Sequence, residues 1–509
     1  MKFSTQKLFT LATLLLVITA PQFSLARTAD EWRARTIYQL LTDRFAQAPG
    51  QENPQLCSNN QNEPEIRHYC GGTFSGIVSK LDYIKNMGFD AIWISPVVKQ
   101  MDNETEVGVG WHGYWAQDIY QINPHFGTPD DLKNLVKAAH DKDIWVMVDV
   151  VANHMGPQEK KTPRTDDYVK AYNPFNKTDH YHVFCLISNY NDQGNVEYCS
   201  IGSADDPLPD LDTENPFVVS EYYNWISWLV KEFNFDAIRI DTARHIRQEF
   251  WDDFTKSSGV FSIGEIPDGN SGFVGSYQKH MDSTLGYPLY FKLQNLYSNP
   301  NANMYEMRDI INSNRNSFND TRILGNFVDN HDQERFAHKT QDKVLLRNAI
   351  TFVLLMDGIP IIYQGVEQDF TGAPTGNDPF NREALWPTSY SQTTPTYQFI
   401  TNINAFRKVV PQSFFTSLSI EAWIDEHIYA FVKDKALIIT SNYGGNNPNR
   451  DLVIQGNGVW PTGEVLVNVL KCDEKITIDG SLNVPVKIDG EPKVLYPENN
   501  LKGSRICGL

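Results

Sequence analysis

Long apolar runs are scarce in this 509-residue chain. One of them, Leu8 to Ala20, stands near the start behind Lys2 and Lys7 and ahead of the small residues Ser24-Leu25-Ala26, so residues 1–26 read as a signal peptide. No later stretch approaches the roughly 20 uninterrupted apolar residues of a membrane span. The terminal Arg505-Ile-Cys-Gly-Leu509 is not a hydrophobic anchor tail either. The mature product is therefore expected to be soluble, secreted to the extracellular space and monomeric, with no membrane partner. Basic residues are also in short supply: 44 Lys and Arg face 62 Asp and Glu, a net charge of −18 that becomes −20 once Lys2 and Lys7 are lost. An acidic surface repels nucleic acid phosphates and anionic membranes, so neither is an expected partner and a neutral substrate is favoured over a polyanionic one. No repeat of solenoid length and no low-complexity tract is present.

Cysteine is sparse, six in all. Every one follows the cleavage site, and an even number in an oxidising compartment predicts three disulfides. The cysteines fall into the local groups Cys57/Cys70, Cys185/Cys199 and Cys472/Cys507. Asn103-Glu-Thr, Asn176-Lys-Thr and Asn319-Asp-Thr match the glycosylation tripeptide. Aromatic residues, by contrast, are plentiful at 12%. They fit either a large core or stacking on flat apolar faces such as sugar rings.

From Thr36 onward short apolar runs alternate with amphipathic helices. The runs are Thr36–Leu41, Ala91–Ser95, Ile144–Val151, one at Ala237, one at Phe261, a weak one near Leu285, then Ile323–Val328 and Ile359–Tyr363. Thr128-Pro129 supplies the cap and first residue of a helix whose face is Leu132, Leu135, Val136 and Ala139. Eight strand and helix units predict a (β/α)8 TIM barrel. Two regions break the rhythm. Residues 154–211 are polar and too long for an ordinary loop, so they form an excursion domain between barrel parts 27–153 and 212–410. Residues 411–509 carry short strands divided by Gly and Asn turns and are expected to form an antiparallel β-sandwich.

Four of these runs end in acids: Asp149 after Ile144–Val148, Asp241 after Ala237–Ile240, Glu265 after Phe261–Gly264, and Asp332 in Asn326-Phe-Val-Asp-Asn-His-Asp332. Strand ends of a barrel converge, so acids distant in sequence meet in one site. Cleaving a glycosidic bond takes one carboxylate as nucleophile or base and a second, protonated, as acid. Asp241, two residues after Arg239 on one strand face, is expected to be held low in pKa by the guanidinium. Glu265, in apolar company, is expected to be raised by desolvation. Read alone, Arg239 and Asp241 fit a structural ion pair equally well.

The four segments Asp149-Val-Val-Ala-Asn-His154, Phe235 to His245, Gly264-Glu-Ile266 and Phe327-Val-Asp-Asn-His-Asp332 resemble, in order, the signature regions of the α-amylase family of glycoside hydrolases. So do Gly113-Tyr114-Trp115, Leu208-Pro-Asp-Leu-Asp212, Asn377-Asp-Pro379 and Asn381-Arg-Glu383, and the likeness is closest to the family's secreted fungal members. The resemblance implies that Asp241 is the nucleophile, Glu265 the acid/base and Asp332 the carboxylate that steadies the transition state. It implies substrate contacts from Tyr114, stacking beneath the sugar, and from His112, Trp115, His154, His331, Asp378 and Arg382, with Asp149 and Arg239 supporting the acids and Arg244 on the leaving side. It also implies a structural Ca2+ held by Asn153, Glu197, Asp210 and the main-chain carbonyl of His245, all hard oxygen donors.

The chain departs from the family's usual residues at Arg244, where Lys is common, at Pro267, at Asp329, where Glu is usual, and at Gln333-Glu334. The loop Cys57–Cys70 is longer than typical, and a fourth disulfide found in some members is missing. None of these touches the three acids. The expected activity is endo-hydrolysis of internal α-1,4 bonds of an α-glucan polysaccharide with retention, by an α-amylase. A 4-α-glucanotransferase of the same fold is the alternative, and an inactive glucan-binding protein a more distant one.

Overall fold

The computed structural model describes residues 27–60, 62–158 and 165–509. The expected signal peptide lies outside the described residues. Eight strands form one parallel sheet: β1 Ile37–Leu40, β2 Ala91–Ile94, β3 Trp145–Val150, β4 Ala237–Ile240, β5 Phe261–Gly264, β6 Ser283–Thr284, β7 Gly325–Phe327 and β8 Ile359–Tyr363. They are ordered β6-β5-β4-β3-β2-β1-β8-β7. The ends meet where Leu285 pairs with Gly325 in parallel and Gly286 N–H donates to the Gly325 carbonyl at 2.8 Å, closing a (β/α)8 barrel. Closure there needs glycine: a Cβ on Gly325 would stand 2.6 Å from Ile263 Cδ1 and 2.9 Å from Ile361 Cδ1.

Strand periodicity sorts the side chains into two environments. Ile37, Ala91, Trp145, Met147, Ala237, Phe261, Ile263, Ile359 and Ile361 fill the barrel's lower interior. The alternate residues Ile92, Ile94, Val146, Val148, Ile238 and Ile240 face outward and pack against the helices. Each such side chain contributes about 1.5–3 kcal/mol when fully buried. Continuing two residues along the interior row leads from Met147 to Asp149, from Ala237 to Arg239 and Asp241, and from Ile263 to Glu265. The floor of the barrel is therefore apolar, and its upper layer is charged.

The helices start where their sequence says they should. Thr128 caps Pro129–His140 in a capping box with Asp131, Pro129 opens the first turn, and Leu132, Leu135, Val136 and Ala139 are its buried face. Helix Pro216–Phe233 is capped by Asn215 and ends on Asn234 in the left-handed region.

After β3 the chain leaves the barrel through residues built mostly from turns, with short helices Asp166–Val169 and Gln193–Tyr198. This excursion rests on an antiparallel hairpin, Val98–Gln100 with Ala116–Ile122, grown from the loop after β2. Asn173 pairs with Asp118 and Gly156 N–H donates to the Ala116 carbonyl. The hairpin escaped the sequence reading because its register shifts twice within three residues, which erases the period-2 signal.

Beyond the last barrel helix, Pro395–Arg407, a six-stranded antiparallel sheet runs in the order Ile420–Ile424, Ile428–Lys433, Ala436–Ser441, Lys493–Pro497, Val465–Asn468, Lys475–Thr477. A ribbon of Arg450–Gln455 and Asn483–Ile488 covers one face through Leu452, Ile454, Val484 and Val486. The other face turns Tyr429, Phe431 and Ile438 to the barrel's helices. That explains why Ile428–Lys433 and Ala436–Ser441 are buried throughout: the sheet is the middle layer of three.

Disulfides join Cys57 to Cys70, Cys185 to Cys199 and Cys472 to Cys507. Of the three glycosylation tripeptides, Asn176 is exposed, whereas the Asn103 amide is partly buried and donates to the carbonyls of Pro157 and Gln158. Asn319 is exposed, its amide donating to the Gln278 carbonyl at 3.2 Å. Among the described residues no helix is long and apolar enough to cross a membrane.

Candidate active site

The charged upper layer of the barrel centres on one fully buried guanidinium. Arg239 Nη1 donates to Asp149 Oδ1 and Oδ2 at 2.9 and 3.0 Å and to Asp241 Oδ1 at 2.8 Å, while Nη2 lies 2.9 Å from Glu265 Oε2. Asp241 and Glu265 thus grip the two ends of one planar group, side by side. Strands β4 and β5 are neighbours in register, Ile240 opposite Gly264, so the residue after each lands on the same rim.

Glu265 has two further donors. Thr242 N–H reaches Oε2 at 3.1 Å, and the Tyr287 hydroxyl reaches Oε1 at 3.2 Å. Thr242 is left-handed, φ 47°, which a β-branched residue adopts only under strain. That turn is what aims its N–H at the acid, and strain of this kind concentrates at functional sites.

Asp332 arrives from the loop after β7. Its Oδ1 accepts from Arg382 Nη2 at 3.0 Å, its Oδ2 lies 3.2 Å from His331 Nε2, and its own N–H is held by Asn330 Oδ1 at 2.9 Å. A chain of bonds then leads back to the centre. Gln39 Nε2 donates to His331 Nδ1 at 2.7 Å, His331 Nε2 contacts the Tyr114 hydroxyl at 2.7 Å, and that hydroxyl donates to Asp149 Oδ2 at 2.8 Å. Because Nδ1 accepts, Nε2 carries the imidazole proton.

Burial governs the titration of this layer. It raises Asp241 well above the ordinary aspartate range; Arg239 opposes the rise, and Glu265, Asp149 and Asp332 add to it. This corrects the expectation that Arg239 would hold Asp241 low. One guanidinium is shared among three carboxylates, so each receives only part of its charge, and desolvation wins. Asp149 is raised to about 6 by burial despite bonds from Arg239, Tyr114 and Trp93. Burial also lowers His154 to about 4 and His331 well below its usual value, so both imidazoles are neutral near pH 7.

The remaining expected contacts distribute unevenly. Tyr114 is part-exposed and lies parallel to His331, ring centroids 5.4 Å apart. His154 Nε2 meets the Tyr114 carbonyl at 3.2 Å, and Asp378 pairs with Arg382 Nη1 at 3.1 Å. Trp115 is 8% exposed and stands edge-on to His112. Arg244 is engaged by the protein: Nη1 lies 3.2 Å from Asp268 Oδ2, and Nη2 donates to the Tyr190 carbonyl at 2.6 Å. Tyr287, Gln39, Asn330 and Trp93 went unnoticed in the sequence. Two of them carried a signal: Gln39 as a polar residue on the interior row of an apolar strand, and Asn330 by its place in the segment Phe327–Asp332.

The expected metal ligands fall at the seam between excursion and barrel. The bridge of His154 with Asp210 and the bond from Leu211 N–H to the Asn153 carbonyl set Asn153 beside Asp210. Gln193 Nε2 donates both to Glu197 Oε1 at 2.8 Å and to the Arg244 carbonyl at 2.7 Å, tying Glu197 to the turn that holds His245. Burial lowers His245 to about 3, with His154 and Arg244 adding to the shift. Burial raises the Glu197 carboxyl, the bond from Gln193 and the charge of Arg247 opposing the rise and Glu214 and Glu249 adding to it. This donor set fits a hard cation.

Among the described residues His182, Asp212 and Glu214 could also converge on a metal. Burial opposes protonation of His182, but bonds to Asp210 and Glu214 prevail and raise it to about 9.

The family described as "Alpha amylase, catalytic domain" matches residues 39–409, and "Alpha-amylase, domain C" matches residues 421–509. The chain is 40% identical over 494 residues to "Alpha-amylase" of Saccharomycopsis fibuligera, covering 96% of this chain and 97% of that protein. It is 38% identical over 487 residues to "Alpha-amylase 1" of Schwanniomyces occidentalis, covering 94% and 92%. A solved α-amylase structure from Malbranchea cinnamomea superposes with a TM-score of 0.89 at 37% identity, covering 94% of this chain and all of that one.

Proposed function

Because the chain belongs to the α-amylase family of glycoside hydrolases, we propose that it cleaves internal α-1,4-glucosidic bonds of starch-like glucans with retention of configuration, acting outside the cell after loss of residues 1–26. The observation that carries this is the placement of Asp241 and Glu265 on the two ends of the Arg239 guanidinium, with Asp332 bound to Arg382 across the same layer.

In the first step Asp241 attacks the anomeric carbon while Glu265 gives its proton to the leaving oxygen. A covalent glycosyl ester results. Negative charge then appears on Glu265, where Thr242 N–H, the Tyr287 hydroxyl and Arg239 Nη2 already point, so no dipole has to turn as the charge develops. Asp241 attacks in its ionised form, which burial opposes and the 2.8 Å bond from Arg239 favours, so the attacking carboxylate is poorly solvated and reactive. In the second step Glu265 takes a proton from water, and the ester is hydrolysed. Asp332 and the neutral imidazoles of His154 and His331 bind sugar hydroxyls without placing a cation beside the oxocarbenium-like centre.

Products of maltoheptaose digestion should be shorter maltosaccharides from internal cuts, with newly formed reducing ends in the α configuration by NMR. New ends in the β configuration would refute the two-step reading. A predominance of chains longer than the input would favour a transferase instead.

Asn153, Glu197, Asp210 and the His245 carbonyl are the residues we assign to a Ca2+ that neutralises the seam and pins the excursion to the barrel. A ligand bound only by the folded state adds about 2.7 kcal/mol when present at about 100 times its Kd. Excess chelator should lower Tm, and millimolar Ca2+ should restore it. Equal Tm in both conditions, with no metal found by elemental analysis, would remove the site.

A further inference from the structure

Arg244 spans a gap between two loops. The first is closed by the Cys185–Cys199 disulfide and carries Tyr190 and helix Gln193–Tyr198; the second follows β5 and carries Asp268. The Arg244 guanidinium meets both, Nη2 at the Tyr190 carbonyl (2.6 Å) and Nη1 at Asp268 Oδ2 (3.2 Å), and it lies 5.2 Å over the Phe273 ring. Its side chain is 13% exposed. Asp268 is fixed in turn, because its Oδ1 caps Asn270 N–H at 2.8 Å and its own N–H is bound to the Ile266 carbonyl across Pro267.

We propose that Asp268 is a positioning residue that, through Arg244, locks the disulfide loop against the barrel and so sets the shape of the leaving side of the cleft; this rests on the hydrolase reading above. Two diverging N–H groups are needed to hold a carbonyl and a carboxylate on opposite loops. Arginine's planar fork supplies them, and a lysine ammonium on a single point does not. The tie leaves the Tyr190 ring 53% exposed and edge-on to His245, on the turn that follows Asp241. Freeing the loop changes where that ring sits, and with it how well a sugar occupies the leaving side. Occupancy there decides whether the covalent intermediate meets water or another glucan hydroxyl.

The test compares the full-length enzyme with Asp268→Ala, Asp268→Asn and Arg244→Lys. Two readouts are used: product lengths from maltoheptaose over a range of concentrations, and hydrogen exchange of the peptide spanning 185–199. Asp268→Ala and Arg244→Lys should both raise exchange in that peptide and change the transfer-to-hydrolysis ratio by roughly threefold, the scale of a part-exposed ion pair. Total bond cleavage should change less than that ratio. Asp268→Asn keeps both the Asn270 cap and an acceptor for Arg244, and should recover most of the wild-type pattern. Unchanged exchange and product lengths in both Asp268→Ala and Arg244→Lys would overturn the proposal. So would a uniform loss of cleavage with the product pattern intact, which would make Asp268 part of the chemistry. Absence of starch cleavage by the wild-type enzyme would instead defeat the hydrolase reading.

Discussion

Asp241→Asn, Glu265→Gln and Asp332→Asn should each lower turnover on starch by on the order of 10³-fold or more while leaving far-UV CD unchanged, and Asp241→Asn should keep Tm at or above the wild-type value. Each swap preserves shape and removes one function: the attacking charge, the transferable proton, or the carboxylate bound to Arg382. Tm is the informative control. Asp241 is raised well above its ordinary pKa by burial, so its folded state resists ionisation. A neutral amide there relieves a repelled charge and costs no stability at neutral pH. The kinetic signatures also differ. Glu265→Gln should spare substrates whose leaving group needs no protonation, such as an aryl glycoside with an acidic phenol, whereas Asp241→Asn should be inactive on all of them. Turnover of starch within tenfold of wild type by any of the three would remove that residue from its role.

The barrel strands were readable from sequence because their physics is local. A run such as Ile144–Val151 is apolar on both faces, since one side fills the barrel and the other meets helices, and its acid comes at the end where the apolar floor stops. What could not be read is pairwise. Tyr287 reaches Glu265 only because the last barrel turn closes at Gly325, and nothing near Tyr287 in the chain announces that. The reversed expectation for Asp241 has the same origin. Sequence displays Arg239 two residues away but not the other two carboxylates that share its charge. Arg244 shows the limit from the opposite side. A family-level likeness puts it near the leaving sugar, and the structure adds what sequence does not display, Nη1 meeting Asp268 and Nη2 meeting Tyr190.

Arg239 itself is where the largest loss of stability is expected. Its guanidinium is completely buried, it contacts Asp149, Asp241 and Glu265, and the Trp93 ring lies 5.1 Å from it. Arg239→Gln leaves three acids in a dry layer with no cation. Breaking one partner of a buried ion pair costs about 3–5 kcal/mol, and here one cation serves three partners. Arg239→Lys keeps the charge but not the fork, so it should recover part of the stability and little of the activity, because one ammonium cannot hold Asp241 and Glu265 at two ends. The pH dependence gives the sharper test. Asp241 and Asp149 already have folded pKa values above their unfolded ones, the latter at about 6, so the folded state binds more protons and loses stability as pH rises through those values. Without the opposing Arg239 charge both values move up further. The Tm deficit of Arg239→Gln against wild type should therefore be smallest near the unfolded aspartate pKa of roughly 3.9, where burial keeps Asp241 and Asp149 protonated in the folded state, and should widen toward neutral pH. A deficit that is constant across that range would mean that Arg239 stabilises the barrel by packing against Trp93 and not by charge.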